Sequence, residues 1–145
     1  MAMNEQQTIR AIFAGGHTVA VVGLSPKAWR ESFGVSRAMQ AAGWRIIPVN
    51  PVVAERGETI LGEKAYATLA DAALHESIDL VNVFRNSEDV PPVMEEAIAT
   101  GAPAVWLQMG IRHDAAAARA RAAGLNVVQD RCLKVEWMMR DRPST

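Results

Sequence analysis

The sequence has a single cysteine, Cys132, so the chain forms no disulfide within itself. It also lacks an excess of either charge, with 15 lysines and arginines, 16 aspartates and glutamates and a formal net charge of −1. Because a nucleic-acid-binding domain normally has a basic excess, we expect no nucleic-acid partner. No apolar run approaches the roughly 20 residues of a membrane-spanning helix, and the polar first residues lack a signal-peptide core. We therefore expect a cytoplasmic protein that does not bind membranes.

The sequence has few residues that could bind a metal ion, and it has no segment typical of a domain linker. The 3 histidines and the one cysteine have no metal-ligand spacing, so we predict no metal site. No linker or low-complexity tract divides the 145 residues, which is an ordinary length for one domain. We predict a single domain, with an N-terminal helix at about residues 4–14 and a core at about residues 18–139. The 4 tryptophans are compatible with a homodimer as well as with a buried core.

Short apolar, β-branched segments alternate with helix-like segments along the chain. The segments near residues 18–22, 45–49, 79–84, 103–107 and 125–129 are predicted strands. Three of them follow a glycine typical of a helix end, Gly43, Gly101 and Gly124. Strict alternation requires parallel strands with right-handed crossovers. The predicted fold class is α/β, a Rossmann-like doubly wound parallel sheet in a three-layer αβα arrangement. The stretch at residues 51–78 is predicted as a long loop with a possible short edge strand near residues 64–66.

Individual residues indicate where helices begin. Ser32 is a candidate N-cap of the helix after the first strand, and Asp114 is a candidate N-cap of the alanine-rich helix. Pro91 and Pro92 belong in the first turn of a third helix, where a missing N–H group costs little.

The loop after the first strand is the most informative candidate for a binding site. In open parallel sheets, ligands bind beyond the carboxyl ends of the strands, and a glycine turn before a helix is a natural anion site. Gly23 provides that turn, although Gly23 and Gly34 are also explained by tight packing alone. The dinucleotide fingerprint G-x-G-x-x-G is absent, and the second strand ends at Asn50 without an acidic residue. Lys27 and Arg30 suit a ligand with more phosphate charge than NAD.

Two enzymatic alternatives remain open at this point. Gly23-Leu24-Ser25 begins like the G-x-S-x-G nucleophile elbow of a hydrolase, but the fifth position is Lys27. His113 is the histidine on a loop at the correct end of the sheet. A nicotinamide-dependent reductase on the same fold is the other alternative, and the missing fingerprint argues against it. The sequence leaves open whether the protein has catalytic activity.

Several phrases carry a family resemblance by their order and spacing: VAVVGLS, SFGVSRAMQAAGWRIIPVNP, DLVNVFR, VPPVMEEAIATGAPAVWLQMGI and ARAAGLNVVQDRC. In these the chain resembles the stand-alone CoA-binding domain proteins, the YccU-like family, which is related to the N-terminal domain of the succinyl-CoA synthetase α subunit. The resemblance implies a small binding module for coenzyme A or an acyl-CoA. It implies no catalysis, because the related ligases react through a further domain and a partner subunit.

The resemblance also implies which residues bind the cofactor. The first loop would hold the pyrophosphate, with Lys27 and Arg30 on the 3′-phosphate. The loop after the second strand would border adenine, the loop at Phe84 would flank the pantetheine or the phosphates, and the loop at Gln108 would close the far side. The implied cofactor-binding residues are Gly23, Leu24, Ser25, Lys27, Arg30, Ser32, Phe33, Gly34, Val35, Asn50, Pro51, Phe84, Arg85, Gln108, Met109 and Gly110. Asn86 stands where the family often has a second basic residue.

Overall fold

The computed structural model describes residues 3–140, which contain seven α-helices and seven strands. In chain order the elements are α1 (Glu5–Ala14), β1 (Thr18–Val22), α2 (Glu31–Ala41), β2 (Arg45–Val49), α3 (Pro51–Glu55), β3 (Thr59–Ile60), β4 (Glu63–Lys64), α4 (Leu69–His75), β5 (Leu80–Val83), α5 (Val90–Thr100), β6 (Ala104–Leu107), α6 (Asp114–Ala122), β7 (Asn126–Val128) and α7 (Leu133–Met139). Five strands form a parallel sheet in the order β2-β1-β5-β6-β7. The predicted Rossmann-like α/β sheet is confirmed, and its last three strands are one or two residues shorter than predicted.

The sheet is buried on both faces, which explains why its strands are apolar throughout. Alternate residues of β1 enter two separate cores: Val19 and Val21 on one face, Ala20 and Val22 on the other. The first core is covered by α1, α2 and α7, and the second by α4, α5 and α6. This is the predicted three-layer αβα arrangement.

Glycines end the helices as predicted. Gly43, Gly101 and Gly124 have φ values of 99°, 76° and 95°, in the left-handed region that only glycine occupies without strain. At the other end of α5, Pro91 and Pro92 lie in the first turn, where the helix needs no N–H donor from them.

Both predicted side-chain caps are wrong. Helix α2 begins at Glu31, one residue before Ser32, and its N-cap residue makes no capping hydrogen bond. Helix α6 is capped by the ring of His113, whose Nδ1 accepts the N–H of Ala116 at 3.1 Å. Asp114 is already inside the helix, and its carboxylate accepts a hydrogen bond from Gln129. Each of these two side chains instead accepts a hydrogen bond from outside its own helix, Ser32 from the N–H of Ser25 and Asp114 from Gln129.

The stretch predicted as a long loop contains four short elements. Helix α3 follows Asn50, which caps it, and β3 pairs with β4 in an antiparallel hairpin before α4 begins. The predicted edge strand near residues 64–66 is reduced to the second strand of this hairpin and to a single parallel bridge between Tyr66 and Val49. The bridge places Tyr66 beside β2, which is an edge strand of the main sheet.

Helix α7 closes the first core and was not predicted from the sequence. Trp137 on α7 packs edge-on against Phe13 of α1 and Trp44, with ring centroids 5.1 and 5.2 Å apart. Arg131, just before α7, forms ion pairs with Glu5 of α1 and Glu136 of α7. The side-chain hydrogen bond with Glu136, and then the charge of Glu5, raise the pKa of Arg131 above its ordinary value. Within residues 3–140 no helix has the length and apolar character needed to cross a membrane.

Candidate functional site

Two connected grooves lie where the carboxyl ends of the parallel strands meet. We call the larger one, of about 610 Å³, the main groove. It is lined by Gly23, Ser25, Lys27, Arg30, Glu31, Ser32, Phe84, Arg85, Asn86, Asp89, Met109 and Ile111. We call the smaller one, of about 270 Å³, the side groove, and it adds Asn50, Pro51 and Val52 to four residues of the main groove. The structure thus brings together loops from β2, β1, β5 and β6, as expected for ligand binding on this fold.

Gly23 is required by the backbone at this edge. Its φ is +88°, and a Cβ there would collide with the backbone carbonyl of Phe84 on the neighbouring strand's loop. Gly34, in contrast, has no atom within 4 Å of the position of an added Cβ. Close packing therefore explains why a glycine is needed at position 23, but it does not explain the glycine at position 34. The missing side chain of Gly34 leaves an open surface on α2.

Hydrogen bonds to three side chains hold the loop between β1 and α2 in place. The N–H of Ser25 donates to the hydroxyl of Ser32 at 3.0 Å, and Ser32 is only 6% exposed. The N–H of Lys27 donates to the hydroxyl of Ser25 at 3.1 Å. Asn50 ties this loop to the next one, because its amide donates to the carbonyl of Leu24 at 3.0 Å. The turn is therefore pre-organised by side chains from three places in the chain.

Three cationic side chains line the main groove: Lys27, Arg30 and Arg85. None of them forms an ion pair with a described residue. The acidic residues Glu31 and Asp89 also line the groove. In addition, no side chain caps α2, so the first N–H groups of this helix keep their capacity to bind an anion. The ammonium of Lys27 lies over the ring of Trp29, 5.6 Å from its centroid. Cations without ion-pair partners beside an uncapped helix start are suited to phosphate groups.

Not every expected residue presents its side chain to these grooves. Leu24 and Gln108 are at most 1% exposed, and the amide oxygen of Gln108 accepts the N–H of Leu133. Phe33 and Val35 pack in or against the first core. The N–H of Gly110 donates to the carboxylate of Asp130 at 2.7 Å. The side chains of Leu24 and Gln108 therefore do not face the grooves, and the buried Nε2 of Gln108 lacks a hydrogen-bond partner among the described residues.

The predicted site residues omit five residues that line the grooves: Glu31, Asn86, Asp89 and Ile111 of the main groove and Val52 of the side groove. Asn86 and Asp89 both follow β5: Asn86 precedes a single turn of 3₁₀-helix at Ser87–Asp89, and Asp89 is the last residue of that turn. Their position directly after a predicted strand was the available signal, since every such loop lies at the binding edge of the sheet.

The residues that line the two grooves can bind a ligand, but they do not include a serine paired with a histidine base. The hydroxyl of Ser25 accepts a backbone N–H, and no histidine is among the residues that line either groove. His113 uses Nδ1 to cap α6, and His17 stacks on Trp44. Across residues 3–140 there is no group of three histidine, cysteine or acidic side chains placed to hold a metal ion.

Comparisons with known proteins agree with this architecture. A family model described as a CoA binding domain matches residues 17–138. The Bacillus subtilis protein YneT is 43% identical over 127 residues, which cover 88% of this chain and 90% of YneT. The solved structure of cell-free ID.343 from Thermus thermophilus has 38% identity and a TM-score of 0.84, covering 94% of this chain and 98% of that one. A hypothetical protein from Pyrococcus horikoshii has 30% identity and a TM-score of 0.81, covering 95% and 97%.

Proposed function

The chain belongs to the CoA-binding domain family, and from that premise we propose that it is a small cytosolic protein that binds coenzyme A or an acyl-CoA without catalysis of its own. The observation that carries the proposal is the main groove, where Lys27, Arg30 and Arg85 surround the Gly23 turn without ion-pair partners among the described residues. Coenzyme A brings a pyrophosphate and a 3′-phosphate, and both need such cations.

The order of the strands suggests how the cofactor lies. The adenine would occupy the side groove beside Asn50 and Pro51, after β2. The pyrophosphate would sit at the Gly23 turn, after β1, and face the open N–H groups of α2. The pantetheine would pass Phe84, after β5, and reach Met109, after β6. Each part of the ligand would thus meet the loop of the next strand in the sheet.

The contact for the 3′-phosphate has two candidates. The family resemblance implies Lys27 and Arg30 for this contact, and both residues line the main groove and not the side groove. Arg85 lines both grooves, and it is the one of these three cations that shares the side groove with Asn50. We retain Lys27 and Arg30 as a prediction and add Arg85 as the alternative that the geometry supports.

Calorimetric titration with CoA, dephospho-CoA and NAD tests the proposal. A well-formed hydrogen bond to a charged group contributes about 1.5–3 kcal/mol, and solvent exposure reduces that value. We expect CoA to bind roughly tenfold more tightly than dephospho-CoA, and NAD to bind weakly. Replacing both Lys27 and Arg30 by alanine should remove the preference for CoA. Arg37→Ala, an exposed position on α2 outside both grooves, is the matched control for loss of charge.

The outcomes separate the candidates. If Arg85→Ala removes the preference while the double variant keeps it, the 3′-phosphate lies at Arg85. Equal affinity for CoA and dephospho-CoA in the wild type would exclude both assignments. Tighter binding of NAD than of CoA would contradict the proposed function and favour the reductase.

The lack of catalysis needs its own assay. Acyl-CoA is incubated with the protein and the free thiol of released CoA is titrated with a colorimetric disulfide. We expect no release above the rate without protein. Release that Ser25→Ala abolishes would establish the hydrolase instead. The homodimer also stays a prediction, and light scattering at several protein concentrations measures it.

A further inference from the structure

We infer that the protein holds the acyl chain of an acyl-CoA in a third groove, which continues the main groove past Met109. This inference rests on the proposed function and specifies its ligand. We call this groove, of about 430 Å³, the acyl groove. Its large exposed apolar side chains are Trp29, Met109 and Val135, the charged side chains of Arg30, Glu31 and Lys134 also line it, and Gly34 of α2 is part of the same lining.

The position of the acyl groove follows from the direction of the cofactor. With adenine at the end of β2, the thiol end of the pantetheine would arrive at the end of β6, where Met109 stands. Met109, Arg30 and Glu31 line the main groove and the acyl groove alike. A group attached to the thiol would therefore leave the main groove directly into the acyl groove.

The wall of the acyl groove is suited to hydrocarbon. Trp29, Met109 and Val135 are 77%, 58% and 42% exposed, so large apolar surfaces face water next to one another. At Gly34 the absence of a side chain leaves the surface of α2 open, since nothing lies within 4 Å of an added Cβ. An alkyl chain would cover these surfaces, and each buried CH₂ group strengthens binding.

Titration with octanoyl-CoA and CoA tests the inference, with one variant inside the groove and one outside it. We expect octanoyl-CoA to bind about tenfold more tightly than CoA to the wild type. Val135→Asp places a charge in the acyl groove and should remove most of this preference. Met138→Asp places the same charge on an exposed site of α7 outside the groove and should keep it. Val135→Ser, which adds no charge, is the second variant, and circular dichroism verifies that each one is folded.

Each remaining outcome has a defined meaning. Equal affinity of the wild type for octanoyl-CoA and CoA would overturn the inference and leave CoA binding intact. A preference that survives both Val135 variants, or one that Met138→Asp also removes, would overturn the assignment to this groove. If light scattering shows a dimer that Val135→Asp dissociates, a second copy of the chain covers the groove and the inference is wrong. If neither ligand binds, the proposed function itself fails.

Discussion

Asn50 joins two loops of the candidate site, and its replacement by alanine should destabilise the protein measurably. Its side-chain oxygen accepts the N–H groups of Val52 and Val53 at 3.0 and 3.1 Å, and its amide donates to Leu24 at 3.0 Å. An N-cap contributes about 1 kcal/mol, and a hydrogen bond to a partly buried carbonyl about 0.5–1.5 kcal/mol. We expect Asn50→Ala to lower the free energy of unfolding by about 2 kcal/mol, which corresponds to about 4–8 °C in Tm for a chain of this size.

A second substitution separates the two contributions. Asn50→Ser keeps an oxygen that can cap α3 but loses the amide donor to Leu24, so about half of the effect should remain. Urea denaturation of the three proteins gives the free energies at comparable slopes. If Asn50→Ala stays within about 0.5 kcal/mol of the wild type, our assignment of these hydrogen bonds to stability is refuted. If Asn50→Ser is as unstable as Asn50→Ala, the cap contributes nothing.

Three further substitutions test the turn, the loop and the contact with α7. Gly43→Ala should lower the free energy of unfolding by about 1–2 kcal/mol, the cost of left-handed strain alone. Gly23→Ala should lower it further, because an added Cβ at Gly23 also collides with the backbone carbonyl of Phe84. Ser32→Ala should cost about 1–3 kcal/mol and weaken CoA binding in calorimetry, whereas Ser36→Ala, whose buried hydroxyl has no hydrogen-bond partner, should be near neutral in both. Arg131→Ala should cost about 1 kcal/mol in urea denaturation at low salt, and less at high salt; an equal cost at both would contradict an ionic contribution.

The five parallel strands could be predicted because each is a short and mostly apolar run, and three of them follow a glycine that ends a helix. The short helices and strands between residues 51 and 78 could not be predicted in this way. Strands β3 and β4 have only two residues each, too few for a periodic pattern, and they are stabilised by each other. Helix α7 is short as well, and Trp137 holds it through contacts with residues distant in the sequence.

The loops of the candidate site could be predicted, but the direction of their side chains could not. Gly23, Lys27 and Arg30 lie where the strand–turn–helix pattern places them. Ser32, however, accepts a hydrogen bond from seven residues earlier, and Gln108 turns inward to the N–H of Leu133. The direction of these polar side chains depends on which buried N–H groups need a hydrogen-bond partner in the folded chain. That is a property of the tertiary structure.

Three of the four tryptophans are buried away from the grooves, so the fluorescence of the fourth can report on ligand binding. Trp44, Trp106 and Trp137 are at most 9% exposed, whereas Trp29 is 77% exposed beside the acyl groove. Iodide in solution reaches only exposed indole rings, so the iodide-quenchable part of the emission would arise from Trp29 alone. Trp29→Phe would remove that signal and leave the three core emitters as an internal reference. Occupation of the neighbouring grooves can thus be followed in unlabelled protein by the fall of one quenchable component.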